Sequence, residues 1–152
     1  LDRDTVDWKT GWAPGNIYSS KTTRHLDHST PETIDLVLEH GFAYGREGRA
    51  LEGKRIMSAI STGGSKEAYL PEGRNRYSIR QLLAPFEQTV RLCRMEYLPP
   101  FVVHGTHLLE EQGILLAAGE YEQVISVLRD GAYDPPVIPE LEYINKLIQI
   151  RS

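Results

Sequence analysis

The residues best suited to chemistry stand together in "KRIMSAISTGGSKEAY", Lys54 to Tyr69. An apolar run stops at two hydroxyls, Ser61 and Thr62, and Gly63 and Gly64 follow at once. Glycine lets backbone N–H groups lie close to a flat or anionic ligand, and a neighbouring hydroxyl adds a donor. Tyr69 closes the stretch, and Tyr44 stands in the glycine-rich "FAYGREGRALEGK" before it. Two loop phenols beside bare backbone can wall a planar, redox-active ring, each apolar at one end and a hydrogen-bonder at the other. The plainer alternative is a tight turn with two surface anchors. The spacing is neither that of a P-loop nor the G-x-G-x-x-G fingerprint. His25/His28 and His104/His107 are spaced like ligand pairs, but each supplies two ligands, or three with Asp27, where zinc needs three or four. No metal centre is expected, and His104 suits a hydrogen-bonding or interface role at a strand end.

The elements around these residues explain their placement. "RIMSAIS" is a short, nearly unbroken apolar run, the pattern of a parallel strand covered on both faces. The glycine loop therefore falls at the carboxyl edge of a parallel sheet, where open α/β sheets bind ligands. "STPETIDLVLEHG" predicts a helix capped by Ser29 or Thr30 and closed by Gly41. After a long loop, Ser78 and Gln81 form a capping box opening "IRQLLAPFEQTVRLCRM". Its predicted buried stripe is Ile79, Leu82, Leu83, Phe86, Val90 and Cys93, with a kink at Pro85. "LPPFVVHG" predicts a second buried strand, and residues 106–129 a helix burying Ile114, Ala117, Ala118, Tyr121, Val124, Ile125 and Leu128. "PELEYINKLIQI" predicts a terminal helix carrying Leu141, Ile144, Leu147 and Ile148. Strands alternating with helices imply a parallel α/β sheet. Two strands are too few for one, and "DTVDW" is the candidate for a third.

With 152 residues the chain has the size of one domain and can bury a core. A net charge of -4 with scattered Lys and Arg argues against nucleic acid as a partner. The single cysteine, Cys93, cannot form an internal disulfide and falls on a buried stripe, so an inert thiol is expected. No apolar run reaches the roughly 20 residues of a membrane span, and no signal peptide opens the chain, so a cytoplasmic location is expected. Residues 1–30 are polar, turn-rich and aperiodic, unlike residues 31–152.

"HGFAYGREGRALEGKRIMSAISTGGSKEAY" and "MEYLPPFVVHGTH", in this order and spacing, resemble the flavodoxin-like NAD(P)H:quinone oxidoreductases. The bacterial branch of potassium-efflux ancillary and general stress reductases is most similar, from about Ile34 to Arg129. The resemblance implies that residues 31–152 are the C-terminal portion of a flavodoxin-like parallel sheet whose N-terminal strands are missing or unrecognisable here. It also implies a homodimer that carries hydride from NAD(P)H to a quinone through bound flavin, FMN or FAD, with FMN favoured. A membrane-transporter partner follows by the same analogy. Residue by residue, Ser61, Thr62, Gly63 and Gly64 match the loop along the flavin edge. Tyr69 matches a catalytic phenol that stabilises charge on the reduced ring. A histidine that assists it in some members corresponds to Asn75 here. Tyr44 matches an aromatic residue reaching across a dimer interface to the substrate. "PGNIYSS" matches a second flavin-binding loop through Tyr18, with Ile17 in place of its tryptophan. The alternative is a flavin-less dimerising or interaction module, or a truncated fragment.

Overall fold

The structure is a computed structural model describing residues 17–22, 38–133 and 135–149. Its centre is β2 (Arg55–Ser61), the strand expected from "RIMSAIS". On one side β2 pairs in parallel with β1 (Ile17–Thr22), from Ile17 opposite Arg55 to Thr22 opposite Ile60. The strand described beside β2 is the segment beginning at Ile17; "DTVDW", the candidate expected for a third strand, lies outside the described residues. On its other side β2 pairs in parallel with β3 (Glu96–Tyr97) and then β4 (Phe101–Val103).

The strand expected from "LPPFVVHG" thus begins only at Phe101, behind a separate two-residue strand, for a reason visible in its sequence. Proline has no N–H to donate to a ladder. Ile56 pairs with Tyr97 and Ala59 with Phe101, so Met57 and Ser58 face Leu98, Pro99 and Pro100. The extra residue makes a bulge, and the ladder resumes beyond the prolines.

Both faces of the sheet are covered. On one, Met57, Leu98 and Phe101 pack with Val124 and Leu128 of α3 (Glu111–Asp130) and with Ile138, Leu141, Ile144 and Leu147. On the other, Val102 packs with Ile79 of α1 (Ile79–Leu82), Leu83 and Tyr143, and with half-buried Ile60, Tyr69 and Phe86. Cys93 is fully buried, and burial pushes its thiol pKa up, as an inert core thiol requires.

Pro85 breaks the expected kinked helix outright. The chain forms α1, pivots at Leu83 and restarts as α2 (Ala84–Leu92), with Pro85 in its first turn. There the missing N–H costs nothing, since the first turn has no intrahelical acceptor for it. The pivot leaves Leu82 49% exposed, off the buried stripe where it was expected. The capping box is present: the Gln81 N–H donates to Ser78 Oγ at 3.2 Å, and the Ser78 N–H to Gln81 Oε1 at 2.8 Å. Ser78→Ala should lower stability by about 0.5–2 kcal/mol, read as a shifted urea midpoint at unchanged slope.

Helix α3 closes at Gly131, with φ +64°, close to the expected end, but begins at Glu111 after a 3₁₀ turn at Thr106–Leu108. Val124 and Leu128 are buried, while Ile114 is 57% exposed and Ala118 is exposed, against expectation. The helix expected from Ser29 or Thr30 to Gly41 falls largely outside the described residues. Gly41 has the left-handed φ of +84° predicted for it, but residues 38–40 are not helical.

The C-terminal segment is not one helix. A 3₁₀ run, Pro135–Glu140, leads through a turn to the single-turn α4 (Lys146–Gln149). The expected core residues are nevertheless buried or half-buried, because this segment wraps the β4 edge. The Ile144 N–H donates to the Pro100 carbonyl at 3.1 Å. The Asn145 side chain accepts from the Val102 N–H at 2.9 Å and donates to the Val102 carbonyl at 3.1 Å. A continuous helix would have spent the Ile144 N–H that donates to this edge.

Candidate functional site

Ser61 ends β2, and the chain turns at Thr62, Gly63 and Gly64 at the carboxyl edge of the sheet. Thr62 is 7% exposed and fixes the turn from within. Its N–H donates to the Val103 carbonyl at 2.8 Å, and its carbonyl accepts from the Thr106 N–H at 3.0 Å and the Thr106 hydroxyl at 3.2 Å. The Thr62 hydroxyl donates to the Gly64 carbonyl at 2.9 Å. The Gly105 N–H donates to that same carbonyl at 3.0 Å. The Thr62 and Gly64 carbonyls are therefore directed inward. The Gly63 and Gly64 N–H groups are not: neither has an acceptor among the described residues. Gly63 is exposed and Gly64 half-buried. Two adjacent free donors at this edge suit an electron-rich ring edge or an anion.

Tyr69 closes the turn from one side. It ends a 3₁₀ helix, Lys66–Tyr69, which Gly73 and Asn75 tie down through N–H donation to the Leu70 and Ala68 carbonyls, both at 2.9 Å. A Cβ on Gly64 would stand 3.3 Å from Tyr69 Cε2 and 3.7 Å from its hydroxyl, so the phenol tip lies over that glycine. Ser61–Gly64 and Tyr69, brought together in the sequence reading, are brought together in space.

Behind them stands a group the sequence reading left incomplete. His104 Nδ1 lies 3.0 Å from Thr62 Oγ1. Its ring centroid is 5.6 Å from that of Tyr69 and 5.5 Å from that of Tyr143. The expected hydrogen-bonding role of His104 is present. Tyr143 carried no such signal, because "PELEYINKLIQI" resembled a core-facing helix. Lys66 Nζ lies 5.7 Å from the Tyr143 ring centre and 3.8 Å from the Glu142 carboxylate. Burial, and then the Glu142 charge, push the Tyr143 hydroxyl from 10.0 up to about 12. A phenol held above its unfolded value stabilises the fold below that value, and the contribution is lost as pH rises through the folded one. Stability should therefore fall between about pH 10 and 12, and Tyr143→Phe should remove that loss in an alkaline denaturation series.

Other residues of the sequence reading lie elsewhere. The register puts Ile17 and Tyr18 opposite Arg55 and Ile56, where β2 begins. They open a strand rather than a second loop, and the structure does not bring them to the glycine turn. Tyr44 also lies at the starting edge. The Arg94 guanidinium donates to the Gly45 and Gly48 carbonyls, each at 3.2 Å, and the Gly53 N–H donates to the Arg94 carbonyl at 3.1 Å. Those bonds tie the Tyr44 loop to the chain just before β3. The seven residues of β2 separate that edge from Gly63, about 20 Å at a strand's rise. Asn75 serves the backbone of the Tyr69 loop.

The sequence pattern of the flavodoxin-like fold family matches residues 32–125. General stress protein 14 of Bacillus subtilis is 45% identical over 91 residues, 60% of this chain and 52% of that protein. A glutathione-regulated potassium-efflux system ancillary protein of Pectobacterium carotovorum is 42% identical over 90 residues, covering 59% and 49%. The chain thus spans about half the length of these curated relatives. Among solved structures, general stress protein 14 of Treponema denticola, in complex with FMN, is 30% identical with a TM-score of 0.66. That match covers 74% of this chain and 64% of the other. An NADPH-quinone reductase of P. pentosaceus is 28% identical with a TM-score of 0.61, covering 70% and 64%.

Proposed function

The chain belongs to the flavodoxin-like fold family, and from that premise we propose that it acts as the C-terminal part of an FMN-dependent NAD(P)H:quinone oxidoreductase. The observation that carries this reading is the pair of free N–H groups on Gly63 and Gly64, with the Tyr69 phenol against Gly64. A flavin ring edge presents acceptors and gains negative charge on reduction, so fixed donors there favour the reduced form. When bound, the flavin supplies two-electron hydride chemistry between a nicotinamide and a quinone. Ser61 and Thr62 shape the turn, Gly63 and Gly64 donate from the backbone, and Tyr69 offers a phenolic O–H. The fit concerns the ring edge; no described residue is assigned to the phosphate tail. The names of the FMN-bound stress protein and the NADPH-quinone reductase support the same chemistry.

Tyr44 enters this reading through a second copy of the chain. Arg94 holds its loop at the starting edge, about 20 Å from Gly63, so it cannot serve the glycine turn of its own chain. A homodimer would bring one Tyr44 to the other turn. A potassium-efflux membrane protein is a further partner to test, suggested by the ancillary relative. None of the described helices is long and apolar enough to cross a membrane.

A second reading, a dimerising module without flavin, is favoured by the apolar side chains of Leu108, Ile114, Leu115 and Leu116, each 57% to 77% exposed. FMN titration of the purified chain, followed by flavin fluorescence and by NAD(P)H oxidation with a quinone acceptor, separates the two. Saturable quenching with turnover supports the oxidoreductase. A colourless dimer that FMN does not saturate overturns it.

A further inference from the structure

The Thr62 hydroxyl has one proton, and the Gly64 carbonyl receives it at 2.9 Å. The contact between Thr62 Oγ1 and His104 Nδ1 at 3.0 Å must then be donated by the imidazole. That fixes the neutral Nδ1–H tautomer and leaves Nε2 as a bare acceptor. His104 Nε2 is buried and has no hydrogen-bond partner among the described residues. The ring lies against both Tyr69 and Tyr143, and Lys66 Nζ stands over the Tyr143 ring. A buried ring nitrogen with no partner among the described residues calls for an explanation.

We propose that His104 is the positioning residue of the glycine turn: its Nδ1–H holds the Thr62 hydroxyl, and the turn keeps its shape, and its hold on a flavin, only while the imidazole is uncharged. This deepens the proposed function and rests on its reading that the turn lies against a flavin. Protonation would place an N–H donor and a full charge at Nε2, where no acceptor stands. The ring must then rotate to find one, and rotation breaks the bond to Thr62 that orders Gly63 and Gly64. The groups facing the ring are Lys66, Glu67 and Tyr69 from the turn after Gly64, Glu142 and Tyr143 from the C-terminal segment, and Thr62 from the end of β2. Burial, then the Lys66 charge, hold the imidazole below its ordinary 6.5; the Gly64 carbonyl, Glu142 and Glu67 oppose them without prevailing. A base held below its unfolded value takes up its proton more readily when unfolded. The arrangement is therefore intact above about pH 6.5 and weakens as pH falls.

The test compares the full chain with His104→Asn, whose amide keeps a donor near the Nδ1 position without titrating, and with His104→Phe, which keeps the ring and loses the donor. FMN and riboflavin are titrated between about pH 5 and 8, riboflavin removing the phosphate's own titration from the comparison. The unaltered chain should lose about fivefold in affinity for both towards the acid end. His104→Asn should bind within about twofold of the unaltered chain at neutral pH and show no acid loss. His104→Phe should bind weakly throughout. A common acid loss in the unaltered chain and His104→Asn overturns the proposal, as does unimpaired binding by His104→Phe. If the unaltered chain binds neither flavin, the proposed function falls, and the Gly63 and Gly64 amide resonances of the flavin-free chain decide the inference. They should move with one midpoint below about 6.5 in the unaltered chain and in His107→Gln, which removes the exposed ring beside Gly63, but not in His104→Asn. Resonances that move alike in all three overturn it.

Discussion

Gly63→Ala should weaken the proposed FMN binding by about tenfold, and Gly63→Leu by about a hundredfold, while the melting temperature of the flavin-free chain should stay put. The steric argument separates the two effects. A Cβ on Gly63 meets only His107 Nδ1, at 3.5 Å, which is ordinary contact, and the residue is exposed with no positive φ to strain. The protein itself therefore has room for the side chain. The proposed ligand does not, because it must approach the Gly63 and Gly64 N–H groups across the space that the methyl would fill. Tenfold corresponds to about 1.4 kcal/mol, roughly the loss of one well-made hydrogen bond, and leucine screens both donors. Gly73→Ala provides the contrast. Its Cβ would run into the backbone of Glu67 and Ala68, so it should displace the Tyr69 turn and lower the melting temperature as well. Flavin fluorescence titration beside a thermal melt reads both quantities. Unchanged FMN affinity in Gly63→Leu, with the fold intact, would falsify the placement of the ring edge on this turn.

Much of this site could be read from the sequence because its signals are local. An apolar β-branched run followed by two hydroxyls and two glycines describes a strand end and a donor-rich turn, and Arg55–Ser61 and Thr62–Gly64 form both. The capping box at Ser78 and the left-handed Gly131 are equally local, and both are present. Periodicity failed where a partner outside the segment decided the outcome. Leu141, Ile144 and Leu147 have helical spacing and are buried, yet Ile144 and Asn145 hydrogen-bond to the β4 strand row instead of continuing a helix. The stripe of α3 predicted buried Val124 and Leu128 correctly, but Ile114 on the same stripe is exposed. His104 stands 42 residues from Thr62, and no spacing rule joins a strand-end histidine to a threonine on the neighbouring strand. Tyr44 shows the converse. Its glycine-rich loop is legible, but which edge of the sheet it occupies depends on Arg94, a long-range contact.

Asn145→Leu should destabilise the fold by about 2–4 kcal/mol although it deletes no apolar contact. The Asn145 amide occupies the outer edge of β4, where a further strand would otherwise pair, and satisfies both backbone groups of Val102. Val102 is 5% exposed, so water cannot easily replace the amide. Each orphaned buried group costs about 1–3 kcal/mol, and half-buried Asn145 leaves room for partial recovery, hence the lower half of the summed range. Asn145→Asp is the sharper probe. It keeps an acceptor for the Val102 N–H but turns a carboxylate oxygen towards the Val102 carbonyl, so it should be at least as damaging as leucine near neutral pH and recover on acidification. Urea denaturation gives the stability change, and hydrogen exchange at the Val102 amide shows whether the edge has opened. The effect should reach the site, because Asn145 also anchors the segment carrying Tyr143, the ring against His104. A loosened edge should speed exchange at Thr62 before the core around Leu128 responds. Uniform acceleration throughout the chain would mean that Asn145 holds up the whole fold rather than this edge.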